Sequence, residues 1–131
     1  MTQRPEQAIQ RAVFEHLRWH GAPNIFSMHV PNGGWRTAAE GAILKSIGTR
    51  ARVPDVIIIK SGQVFALELK ADAGRLTEIQ RDTIEAMEAA GATCAVVHGL
   101  DEALARLTEW GLLRERGTTR KFDAIGRPYA R

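Results

Sequence analysis

Cysteine is nearly absent: the 131 residues hold one, Cys94. No intramolecular disulfide can form, and no cysteine-rich zinc cluster is available. A reducing cytosol suits such a chain. Long apolar runs are missing too. Nothing approaches the roughly 20 consecutive apolar residues that cross a bilayer. The start, Met1-Thr2-Gln3-Arg4-Pro5-Glu6, lacks the apolar core of a signal segment. A cytoplasmic protein with no membrane contact is expected. No P-loop or dinucleotide glycine motif occurs, which argues against a nucleotide-processing enzyme. Repeats, low-complexity segments and interior linkers are also lacking. Neither sign of charge dominates: 18 Lys and Arg stand against 15 Asp and Glu. That mildly basic balance fits a polyanion without requiring one. The length suffices for one domain with a real core and is short for two. One domain over 1–131 is expected.

What is present centres on Val53 to Lys70, V-P-D-V-I-I-I-K-S-G-Q-V-F-A-L-E-L-K. Ile57, Ile58 and Ile59 precede Ser61-Gly62, and Val64, Phe65 and Leu67 follow it. Apolar β-formers around Ser-Gly predict a hairpin with a two-residue turn. That turn sets Lys60 against Gln63, Ile58 against Phe65 and Val56 against Leu67. Continued, it sets Asp55 against Glu68; a three-residue turn would set Asp55 against Leu69. Side chains alternate along a strand, so Glu68 and Lys70 share a face and Leu69 takes the other. Both strands are otherwise apolar on both faces, as buried strands are.

Opposed carboxylates destabilise a strand pair, because their Cβ atoms lie roughly 4.5–5.5 Å apart. Asp55 and Glu68 therefore need a counter-charge. Lys70 supplies part of it. A divalent cation supplies more, and carboxylate oxygens suit magnesium or manganese. Two carboxylates and a lysine around such a cation suit phosphodiester hydrolysis. A solvated ion cluster at a strand end accounts for the same residues without function.

Pro54-Asp55, a gap of one hairpin, and Glu68-Leu69-Lys70 resemble the PD-(D/E)xK nuclease signature. Pro31-Asn32-Gly33-Gly34 and Gly74-Arg75-Leu76-Thr77-Glu78-Ile79-Gln80 narrow the likeness. Together they resemble the VRR-NUC group, in its small stand-alone form from phages and bacteria. The resemblance runs from the first helix to Val97. It implies a cation held by Asp55, Glu68 and the Leu69 backbone carbonyl, with Lys70 in catalysis. It also implies supporting places for Gln80 and for Glu15, the latter as a further metal ligand. It implies a DNA substrate, branched or four-way, and a homodimer. One residue departs from the pattern. The family has glycine two positions before the proline, and Arg52 stands there.

The remaining elements can be placed around that hairpin. Glu6 to His20 predicts a helix with an Ile9, Val13, Phe14 and Leu17 stripe. Thr2 could cap it, Pro5 lies in its first turn, and Gly21 ends it. Apart from the resemblance, Glu15 reads as a solvated carboxylate. Ile25 to Val30 predicts a strand. His29 near its end reads as structural or as a ligand. Asn32 and its glycines read as an approach to phosphate or as only a turn. Thr37 to Ile47 predicts a short helix packing through Ala38, Ala39, Ala42, Ile43 and Ile47, stopped by Gly48. Arg50 and Arg52 follow in a basic loop. With Arg36 and Lys45 they form the candidate nucleic-acid surface, unless the loop is merely solvated.

Thr77 to about Ala90 predicts a long helix, with Thr77 and Gln80 as a capping box. The cap and the active site compete for Gln80, since one side chain does not easily serve both. Thr93 to His98 predicts a strand parallel to the hairpin's second strand. Asp101 is expected to cap a last helix towards Trp110. A basic tail from about 117 holds Arg120, Lys121, Arg127 and Arg131, as an arm or an extra hairpin.

The fold class is therefore α/β: a restriction-endonuclease-like mixed sheet flanked by helices, in the order αβ(α)ββαβα. The expected activity is a magnesium- or manganese-dependent endonuclease on DNA. The rival is a catalytically silent nucleic-acid-binding module on the same fold.

Overall fold

The computed structural model describes residues 5–31 and 36–114. The elements are α1 (Pro5–His20), β1 (Ile25–His29), α2 (Ala38–Ser46), β2 (Val56–Lys60), β3 (Gln63–Lys70), α3 (Glu78–Ala89), β4 (Thr93–His98) and α4 (Gly99–Glu109). This is the order read from the sequence. The readings of Thr2, Asn32 with its glycines, and the basic tail fall outside the described residues.

The four strands form one sheet in the order β1-β2-β3-β4. β1 and β2 pair antiparallel, as do β2 and β3, whereas β3 and β4 are parallel. The two-residue turn forms as predicted. Ser61 has φ 52 and Gly62 φ 77, the left-handed pair whose twist matches a hairpin. Lys60 therefore faces Gln63, and Val56 faces Leu67.

Val56, Ile58, Leu67 and Leu69 turn to one side of the sheet. There they meet Val13 and Leu17 of α1 and Ala103 and Leu107 of α4. The opposite side carries Glu68 and Lys70, which Gln80 of α3 bonds, and α3 packs against β4. Over β1 and β2 that side stays open, with Phe26 60% and Ile59 40% exposed. The expectation that the hairpin is buried on both faces thus holds for β3 and fails for β2.

Two helix readings change. No residue of α2 is buried, and Ile43 and Ile47 are exposed. The helix turns Gly41, Leu44 and Lys45 towards a cleft instead, and Gly48 just beyond its end lines the same cleft. Spacings of three and four put the first three on one helical face, and Ile43 lies beside it. Asp101 does not cap α4. β4 runs into the helix without a loop, so His98 becomes the cap residue and Asp101 falls in the first turn. The Glu102 carboxylate accepts the His98 backbone N–H at 2.7 Å.

Leu67→Ala removes a fully buried side chain and should cost about 2–5 kcal/mol in urea unfolding. Ile43→Ala and Ile47→Ala should each stay within about 0.5 kcal/mol, as exposed sites do. A comparable loss from all three would place the outer face of α2 in the core.

Candidate functional site

Asp55 lies one residue before β2, where the hairpin register brings it beside Glu68. Its Oδ2 accepts the Leu69 backbone N–H at 2.9 Å. The carboxylate is thus tied to the middle residue of Glu68-Leu69-Lys70. The Asp55 main chain is fixed from the other side: its carbonyl accepts from His29 Nδ1 at 2.8 Å and from the Val30 N–H at 3.3 Å. Of the two readings of His29, the structure favours the structural one, since the ring anchors the backbone of Asp55. The preceding Pro54 is fully buried.

Glu68 is only 4% exposed. Its carboxyl pKa is pushed up to about 8, first by burial and then by the negative charge of Asp55, while Lys70 pulls it back. Lys70 Nζ lies 3.8 Å from Glu68 Oε1. It donates to Gln80 Oε1 at 2.9 Å, and Gln80 Nε2 donates to Glu68 Oε1 at 3.1 Å. Gln80 bonds both Thr77 of the cap and the Glu68 and Lys70 side chains. Its Oε1 also accepts the Thr77 N–H at 2.9 Å, while its own N–H reaches Thr77 Oγ1 at 3.1 Å. An amide oxygen has two lone pairs, so one serves the cap and the other Lys70. This works because the first turn of α3 sits beside the end of β3.

Two contributors escaped the sequence reading. A Cβ on Gly74 would lie 3.1 Å from Lys70 Cβ and 3.3 Å from its Cδ, so the glycine gives the lysine stem its room. His98 Nε2 donates to the Gly74 carbonyl at 2.8 Å and holds that loop. The available signal was register: a parallel β4 sets His98 opposite Lys70.

Glu15 stands apart. It is exposed and lines a shallow hollow with Ala12, His16, Trp19 and His20. Among the described residues no group of three or more His, Cys, Asp or Glu is arranged to hold a metal.

The basic residues do come together. Arg36, Lys45, Arg50 and Arg52 all line a cleft of about 800 Å³ between α2, the 48–52 loop and the start of α3. Buried Thr83 fastens that loop, its Oγ1 donating to the Ala51 carbonyl at 3.2 Å. Arg52 has φ 60. It adopts the left-handed backbone that glycine, the residue of the resembled family here, takes freely. A side chain there costs roughly 1–2 kcal/mol.

The raised carboxyl has a consequence for stability. A carboxyl whose folded pKa lies above its unfolded value binds its proton more tightly when folded. Its contribution is full below about 4.5 and is lost as pH rises through about 8. Without divalent cations, urea stability should therefore fall between pH 5 and 8, by up to about 1.4 kcal/mol per pH unit. Glu68→Gln should flatten that slope. An equally steep slope in the variant would assign it to other groups.

Comparison with known proteins agrees on the fold. One solved structure, a "VRR_NUC domain protein", is similar at a TM-score of 0.60 and 20% identity, over 83% of this chain and 89% of that one. Another, a "VRR_NUC domain", is similar at a TM-score of 0.57 and 18% identity, over 82% of this chain and 97% of that one. No family model matches the sequence, and no curated protein does. The likeness is one of architecture, and this chain has the VRR-NUC domain fold.

Proposed function

We propose that the chain is a metal-dependent endonuclease that hydrolyses DNA phosphodiester bonds and selects branched DNA, four-way junctions included. One observation carries the reading: a buried glutamate is held beside a second carboxylate and a lysine, all three fixed by hydrogen bonds. A fold has no need of that arrangement for stability. Burial of Glu68 and its closeness to Asp55 both work against two negative charges. Structural ion pairs avoid such a conflict.

The donor set fits a hard divalent cation. Asp55, Glu68 and the Leu69 carbonyl offer oxygen atoms only. Magnesium is commonly held by one or two carboxylates, with water and substrate phosphate completing its shell. Bound there, magnesium or manganese would neutralise phosphate charge and acidify a water molecule. Asp55 and Glu68 would hold it, and the Leu69 N–H and Gln80 orient those carboxylates. Lys70, on the same face, meets the charge that develops on phosphate, or orients the attacking water. Gln80 and Gly74 fix where its Nζ stands. Arg36, Lys45, Arg50 and Arg52 bring the backbone to the site, as phosphate contacts position without reading sequence. A homodimer with two sites about a two-fold axis would suit cutting two strands. No described helix is long and apolar enough to cross a membrane.

Incubation with four-way, flapped and linear DNA, with and without magnesium or manganese, tests the reading. Cleavage should need the metal and favour branched substrates. Asp55→Asn should abolish it. Lys70→Ala should slow single-turnover cleavage at saturating DNA by about 100-fold or more while leaving the fold intact. Tight DNA binding without cleavage under any metal would identify a silent binding module instead.

A further inference from the structure

The cleft beside the carboxylates has features that a track for duplex phosphates does not need. Among the described residues its cations are Arg36, Lys45, Arg50 and Arg52, and no Asp or Glu lines it. Yet between them lie Pro31, Leu44 and Ile79. Ile79 is 56% exposed, an apolar side chain at the cleft. Gly41 on α2 and Gly48 just beyond its end leave the cleft wall open, and no described atom lies within 4 Å of where a Cβ would stand at either. The walls are firm. Thr83 holds the loop at Ala51, and the Thr49 N–H bonds the Leu44 carbonyl at 2.9 Å. Arg52 is kept in a strained backbone conformation, the kind of cost that persists at functional sites. Only Val53 and Pro54 separate it from Asp55.

Resting on the DNA reading above, we propose that this cleft receives an unpaired nucleotide of the substrate. The arginines and lysine hold its phosphates, and its base lies against Leu44 and Ile79. Duplex DNA presents phosphates outward and keeps its base faces stacked, so it satisfies the cations and leaves the apolar surface bare. An extruded or single-stranded nucleotide presents both. Bases taken out of the stack are commonly gripped between aromatic or apolar side chains. A cleft of about 800 Å³ falls within the roughly 300–1,000 Å³ that enclose a small ligand of this order. It is far too small for a double helix. The site would then recognise branched DNA through the unpaired nucleotides at its branch.

The test is equilibrium binding by fluorescence anisotropy with chelator present, so that nothing is cut. The probes are a blunt duplex, the same duplex with a short single-stranded flap, and that flap with its bases removed to abasic sites. The full chain should prefer the flapped duplex to the blunt one by about tenfold, in line with one stacked base. The abasic flap keeps the charge but loses the base contact, and should bind clearly more weakly than the native flap. Ile79→Ser combined with Leu44→Ala should erase the preference and leave blunt-duplex affinity unchanged. Ile79→Ser alone, at an exposed position, guards against misfolding and should lower the preference in part. Equal binding of native and abasic flaps would overturn the proposal, as would equal loss on all three probes. Because no cleavage is needed, flap preference in a chain that never cuts would sink the nuclease reading alone. An active nuclease without that preference would sink this inference alone.

Discussion

Two carboxylates are kept together where neither is well solvated, and the surrounding structure answers to that constraint. Burial and mutual repulsion push Glu68 towards its neutral form. Hydrogen bonds from the Leu69 N–H to Asp55 and from Gln80 to Glu68 resist relaxation of the pair. Lys70 offsets some of the charge from 3.8 Å. Under the proposed function, a divalent cation bound there would take the place of the proton that burial retains.

The supports come from distant parts of the chain. The type of turn at Ser61-Gly62 sets which residues meet. The edge strand β1 holds the Asp55 backbone through His29 and Val30. The first turn of α3 contributes Gln80, whose single amide joins a helix cap to the lysine and the glutamate. The end of β4 contributes His98, which holds the loop around Gly74 against the Lys70 stem. The cleft lies directly upstream of Asp55, on the loop that Thr83 ties to α3. The cleft and the carboxylates are therefore joined by a short stretch of chain, Val53 and Pro54.

Much of this could be read from residues because local chemistry determined it. A two-residue turn with Ser-Gly fixes register without help from the rest of the fold, so Asp55, Glu68 and Lys70 fell together as expected. Thr77 and Gln80 announced their cap for the same reason. The misreadings arose where tertiary contact decides. The apolar residues of α2 suggested a packed face, but the helix turned Gly41 and Leu44 inward and left Ile43 and Ile47 outside. The shared duty of Gln80 depends on where α3 begins relative to β3, which no periodicity encodes. Arg52 in place of glycine was visible as a departure; that it keeps the glycine-like backbone is a fact of geometry alone.

The claim on which the rest stands is that Asp55 and Glu68 form one oxygen site for a divalent cation. Calorimetric titration with manganese at pH 6.5, repeated in two buffers of different ionisation heat, measures both affinity and protons released. With Glu68 at about 8, the native chain should bind one cation and release close to one proton. Asp55→Asn and Glu68→Gln should each bind far more weakly, the latter without proton release. Binding that is undiminished in both variants, or that releases no proton from the native chain, would contradict the account.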